Sequence, residues 1–255
     1  VYRKGEKMNR HNFLNKFGKT NRPITESAAD EYGYRIVEPL RGMTELWPFL
    51  KFLQDHEAFI CGGYALYSWN PMLKKGSAPP GDLDIYTTNK GKFYEFKESF
   101  EQKFKNIYSL NRETKHSYTY NKLGNSWQYG KGSDIEEIQL IKPITTTIKT
   151  TTGDNVYDIL NNFDITVCQA AVLSDKQILV SKNAYDDAIS GQIKLVKNLN
   201  PYITFCRVAK YMSKGYRCEV DTMQRIFEFY VDSQERENET GLTLIQEFSK
   251  SGVNS

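Results

Sequence analysis

"FICGGYALYSWNPMLKKGSAPPGDLDIYT", residues 59–87, places a glycine pair and an Asp-Leu-Asp triplet within one short unit. "EAFICGG" is an apolar run ended by glycines, which predicts a buried strand. "YALYSWN" predicts a helix closed by Pro71, and "DLDIYTT" restores strand alternation. Alternate side chains of a strand share a face, so Asp82 and Asp84 project together roughly 7 Å apart while Leu83 and Ile85 point into a core. Two like charges so placed repel. A divalent cation reverses that cost, because Mg²⁺ takes hard oxygen ligands, commonly one or two carboxylates plus substrate phosphates. Gly62 and Gly63, lacking Cβ atoms, let the backbone approach an anion, and a helix starting near Tyr64 directs N–H groups towards it. Taken singly, a glycine pair also serves a packing turn and an Asp-x-Asp a solvated strand face. Their conjunction is what points to phosphoryl chemistry.

Upstream, "MTELWPFLKFLQDH" carries Leu46, Phe49, Leu50 and Leu53 at helical spacing and predicts a helix leading into the unit. Downstream, Phe93, Phe96, Phe100 and Phe104 recur at three and four residues, the aromatic stripe of an amphipathic helix facing a core. Residues 107–127 alternate loosely and predict hairpin strands, and in the aromatic-rich middle Tyr118, Tyr120, Trp127 and Tyr129 either stack bases or pack a sheet. "IEEIQLIKPI" predicts a firmer strand, "VYDILNNF" a short helix, and "DITVCQAAVLSDKQILVS" two strands around a Ser-Asp turn. Beyond Lys182 the pattern turns helical: stretches stop at Gly191 and Gly215, and Asp221 stands where it can cap the last helix. The organisation expected is a basic N-terminal extension over 1–45, a core over 46–182 and a helical region over 183–255.

With 255 residues the chain is long enough to bury a sizeable core, and no apolar run approaches the ~20 residues of a membrane helix. Cys61, Cys168, Cys206 and Cys218 form no CxxC pair, which argues against a zinc knuckle or a disulfide framework and fits a reducing, cytoplasmic setting. Net charge is only +3, yet Arg3, Lys4, Lys7, Arg10, Lys16, Lys19 and Arg22 crowd the first 25 residues; that arm either touches phosphates or is solvated tail. Val1 in place of a starting Met suggests a processed or excised piece of a longer chain. His11, His56 and His116 show no catalytic spacing.

The glycine turn and acidic strand together resemble the nucleotidyltransferase superfamily with the DNA polymerase β-like fold. Its signature is an apolar residue, two small residues opening a helix, then Asp, apolar, Asp or Glu, apolar; here these positions are Cys61, Gly62, Gly63 and Asp82, Leu83, Asp84, Ile85. The resemblance implies an α+β fold, a mixed β-sheet nucleotidyltransferase core flanked by helices, with a C-terminal helical part. It implies Mg²⁺ (or Mn²⁺) as cofactor, an NTP as donor, and RNA, a nucleotide or a protein as acceptor. The sequence departs from the family in two places. Eighteen residues separate Gly63 from Asp82, a longer loop holding Lys74 and Lys75, and the position expected for a third carboxylate is the neutral Gln139. Glu137 shares the face of Gln139 by strand parity; Asp164, leading an apolar strand, is the preferred third metal ligand, its alternative being a turn cap. Arg207 and Lys210 share a helix face suited to gripping a triphosphate, or form a solvated basic face. The expected activity is metal-dependent transfer of a nucleoside monophosphate with release of pyrophosphate. Its rival is a catalytically silent module of the same fold that binds nucleic acid or protein within a larger viral or mobile-element protein.

Overall fold

The computed structural model describes residues 24–41, 43, 46–73, 80–88, 90–123, 135–143, 155–197 and 200–240. The basic arm, Lys74, Lys75, Trp127 and Tyr129 lie outside these residues.

The chain folds around an eight-stranded mixed sheet. In order come α1 (Glu26–Glu31), β1 (Tyr34–Val37), α2 (Trp47–Asp55), β2 (Ala58–Cys61), α3 (Gly63–Trp69), β3 (Asp82–Thr87), α4 (Lys90–Phe104), β4 (Tyr108–Glu113), β5 (Ser117–Lys122) and β6 (Glu137–Ile141). There follow α5 (Val156–Leu160), a 3₁₀ turn at Thr166–Cys168, β7 (Ala170–Val172), β8 (Ile178–Ser181), α6 (Lys182–Ser190), β9 (Gln192–Ile193), α7 (Pro201–Met212), β10 (Arg217–Cys218) and α8 (Val220–Thr240). The sheet order is β1-β8-β7-β2-β3-β6-β5-β4. Strands β3 and β6 run parallel, whereas the other pairs in this sheet are antiparallel.

Strand alternation divides the core into two faces. Ile60, Leu83, Ile85, Ile138 and Leu140 point to one side, where they meet Leu50, Phe52 and Leu53 of α2 and the Phe93, Phe96 and Phe100 stripe of α4. Cys61, Ala171 and Leu179 point to the other, covered by Val156, Tyr157, Ile159 and Leu160 of α5 with Ala29 of α1. The acidic strand follows the same rule, with Leu83, Ile85 and Thr87 buried and Asp82, Asp84 and Tyr86 half-buried. Tyr118 and Tyr120 belong to packing: Tyr120 is buried, its ring edge-on to Phe100 at 5.0 Å, and Tyr118 stacks against Phe93 at 6.1 Å.

Local chemistry sets the helix ends of the C-terminal part. Ser181 caps α6 by accepting from the Ala184 N–H, and Gly191 ends it in the left-handed conformation at φ +67°. Asn200 caps α7 by accepting from the Ile203 N–H, with Pro201 at the first helical position.

Three elements differ from the sequence expectation. Strand β1, within the stretch read as an N-terminal extension, pairs with β8 along Tyr34–Val37 and forms an edge of the sheet. The segment after Asp164 is a 3₁₀ turn instead of a strand, because the Asp164 carbonyl accepts N–H groups from Val196 and Lys197 and the chain is held off the sheet until Ala170. Asp221 falls inside the first turn of α8, which starts at Val220.

Candidate active site

Gly62 adopts φ +73° and ψ −129°, a conformation that favours glycine strongly. A Cβ there would meet Phe163 Cε1 at 3.4 Å and Asp84 Oδ2 at 3.9 Å, so the turn lies directly against the Asp84 carboxylate. The two glycines are not equivalent. The Gly62 N–H donates to the Ala170 carbonyl at 3.1 Å and extends the ladder between β2 and β7, so it does not point at an anion. Gly63, the first residue of α3, has no positive φ, and its absent Cβ would meet only Tyr211 Oη at 3.8 Å.

Strand pairing assembles the acidic face. Cys61 lies opposite Asp84 on one side, and parallel β6 sets Glu137 beside Asp82 and Gln139 beside Asp84 on the other. Gln139 Nε2 donates to Glu137 Oε1 at 2.6 Å, so the neutral residue steadies the nearest extra carboxylate. Burial pushes the Asp84 carboxyl up to about 6; Asp82 adds to the shift, Arg207 and Lys210 oppose it, and Glu137 raises it further. This pair of hard oxygen donors, buried and mutually repelling, fits a divalent cation completed by substrate oxygens. Among the described residues no three His, Cys, Asp or Glu side chains converge as a metal-binding group.

Asp164, expected as the third metal ligand, is engaged elsewhere. Its side chain is 2% exposed, Oδ1 lies 2.5 Å from Arg207 Nη1, and Oδ2 accepts from the buried Thr204 hydroxyl at 2.8 Å. A buried carboxylate needs a partner, and here α7 supplies both a cation and a hydroxyl. Asp164 and Arg207, read from the sequence as ligands of metal and of nucleotide, are ligands of each other.

Helix α7 presents cations to the acidic face. Arg207 and Lys210 both act on Asp84. Lys214, in the turn that follows α7, was not among the residues singled out in the sequence. Its chain is largely exposed, yet packing around the amine and the nearby Lys210 lower its pKa while Asp82 opposes the shift. The three and four residue spacing of 207, 210 and 214 could have revealed it. A cleft of about 690 Å³ opens beside these groups, starting at Gly63 and bounded by Leu66, Tyr67, Met72, Tyr211, Lys214 and Tyr216. The pairing of α3 with the end of α7 that makes this cleft had no signature in the sequence.

The strand, glycine turn, helix and acidic strand lie together at the centre of a mixed α+β fold. The chain belongs to the Gabija anti-defense 2 family, whose model, described as "Gabija anti-defense 2 family protein", matches residues 40–190. Among solved structures it is similar to a CCA-adding enzyme in an apo form, at 17% identity and TM-score 0.49 over 81% of this chain and 48% of that one. It is also similar to the Thermotoga maritima CCA-adding enzyme complexed with tRNA, at 16% identity and TM-score 0.49 over 79% of this chain and 48% of that one. The chain thus spans about half the length of these structures. No curated protein matches it. No described helix is long and apolar enough to cross a membrane.

Proposed function

We propose that this protein is a metal-dependent nucleotidyltransferase that moves a nucleoside monophosphate from an NTP to an acceptor hydroxyl. The acceptor oxygen bonds to the α-phosphorus, the bond from that phosphorus to the bridging oxygen breaks, pyrophosphate leaves, and the acceptor proton passes to solvent. The observation that carries this reading is the contact between the Gly62 turn and the Asp84 carboxylate, with Asp82 on the same strand face.

Asp82 and Asp84 are the residues that would hold Mg²⁺, or Mn²⁺ in its place. The ion, when bound, supplies charge stabilisation at the phosphoryl oxygens. Gly62 and Gly63 keep the backbone low beside the phosphates. Arg207 and Lys210, with Lys214 alongside, balance charge on the triphosphate, and Asp164 fixes the Arg207 guanidinium beneath it. Catalysis by positioning and electrostatics is how phosphoryl transfer commonly works. The anti-defense description of the family fits an activity directed against a defence system, with RNA, a nucleotide or a protein as the acceptor.

Incubation with a labelled NTP, Mg²⁺ and candidate acceptors tests the reading. Label transfer that disappears in Asp82→Asn and Asp84→Asn variants of unchanged fold supports it, and label transfer that persists in both removes it.

One observation favours a second reading. Gln139 occupies the register position beside Asp84 and is tied to Glu137, so β6 adds no free carboxylate next to Asp84. On that reading the protein is a silent module that binds nucleic acid or protein. Calorimetry separates the two: NTP binding that requires Mg²⁺ and is lost with EDTA belongs to the enzyme, and its absence to the module.

A further inference from the structure

Helices α7 and α8 run antiparallel, joined by residues 213–219, and Phe205 meets Phe227 with ring centroids 5.8 Å apart. That contact fixes their register. Seven residues on along α7 and seven back along α8, Met212 comes level with Val220; three or four residues the other way, Tyr202 comes level with Val231. Thr204 and Val208 of α7 and Ile226 of α8 are buried, so each helix spends one face on the rest of the fold.

The flank of the pair is apolar and open. Val220 is 79% exposed, Phe227 and Val231 are 52% exposed, and Tyr202, Phe205 and Met212 keep 37–45%. At about 100° per residue, positions 220, 227 and 231 fall within about 40° of one another on α8, and positions 202, 205 and 212 within about 80° on α7. The ring contact joins the two stripes into one band of six side chains, with the small, exposed Ala209 inside it. Arg207 and Lys210 project from other sides of α7, so the band stands apart from the acidic face.

Area and chemistry say what covers it. Apolar side chains of this size present roughly 150–250 Å² when free, so six that are about half exposed leave on the order of 500 Å² of apolar surface. A standard interface buries about 800 Å² per partner, and between identical copies about 65% of that is apolar, which is again roughly 500 Å². A two-fold contact needs a patch that is complementary to itself. A band without a charged side chain meets that condition, since no like charges are brought together across the axis. We infer that the α7–α8 flank is a homodimer interface, in which the band of one copy packs on the band of a second to form a four-helix layer centred on Phe205 and Phe227. The acidic face stays open in each copy.

Size exclusion with light scattering on the full chain at about 100 µM tests it, because interfaces of this area bind at micromolar Kd or tighter. The mass of two copies is expected. Phe227→Glu sets a charge at the centre of the band and is expected to return the mass to one copy. Val231→Glu, away from the ring contact, gives the same reading should Phe227→Glu fail to fold. Leu110→Glu alters an exposed apolar residue of the edge strand β4 and is expected to leave the dimer intact. A wild type that remains a single copy, leaving the band to a different partner, overturns the inference. A dimer that survives both band variants, or that Leu110→Glu dissociates, places the interface elsewhere and overturns it too.

Discussion

The Asp164 carboxylate and the Arg207 guanidinium meet at 2.5 Å, joining the turn before β7 to helix α7 and fixing a cation beside the acidic strand. Forty-three positions separate them in the chain, and the buried Thr204 hydroxyl completes the contact from the same helix. Removing Arg207 leaves an unpaired charge on a carboxylate that is 2% exposed. Arg207→Ala is therefore expected to cost about 2–3 kcal/mol, less than for a fully enclosed pair because Arg207 itself keeps 37% exposure. Denaturant unfolding of Arg207→Ala, Asp164→Asn and the double variant measures it. The double variant is expected to lose less than the sum of the two singles, and strict additivity would show that the pair is not coupled.

Asp84 gives a pH dependence of definite sign. Its carboxyl is raised from the ordinary 3.8 to about 6, so the folded state binds this proton more tightly than the unfolded chain does. Stability from this group is present below the ordinary value and is lost as pH rises through about 6, on the order of 1–3 kcal/mol. In EDTA, Asp84→Asn is expected to melt higher than the wild type above pH 6, and Mg²⁺ to narrow the difference by raising the wild type alone. A wild type and variant with parallel melting profiles from pH 4 to 8 would contradict the assignment.

The two glycines should respond differently to alanine. At Gly62 a side chain is strained by the positive φ although it meets Phe163 only at contact distance, 3.4 Å, so Gly62→Ala is expected to cost about 1–3 kcal/mol. Gly63 has ordinary helical space around it, and Gly63→Ala should change stability by less than about 1 kcal/mol. Thermal melts compare them. Equal losses at both positions would mean that the turn is not what places the acidic strand.

Gln139→Glu tests the chemistry of the neutral position. A carboxylate there stands beside Asp84 and loses the amide contact to Glu137, so the metal-free protein is expected to melt lower. Mg²⁺ affinity is expected to rise several-fold, as a third hard ligand joins the pair. Unchanged affinity in calorimetry would place the cation away from β6.

The acidic pair and the turn were legible in the sequence because their geometry is local. Strand parity puts Asp82 and Asp84 on one face whatever surrounds them, and the alternate apolar residues dictate which face is inside. The aromatic stripe of α4 and the stops at Gly191 and Gly215 were legible for the same reason. Strand β1 was not, since an edge strand of four residues takes its identity from the partner β8.

Sequence alone determined which residues carry charge, which surfaces are apolar and where the backbone must turn, because these follow from side-chain chemistry and a repeat of two or 3.6 residues. Tertiary structure alone decided that Asp164 binds Arg207, that the Gly62 N–H serves the sheet, and that Tyr211, Lys214 and Tyr216 close a cleft against α3. Those outcomes depend on how distant segments compete for the same buried partners, and that competition is settled only when the chain packs.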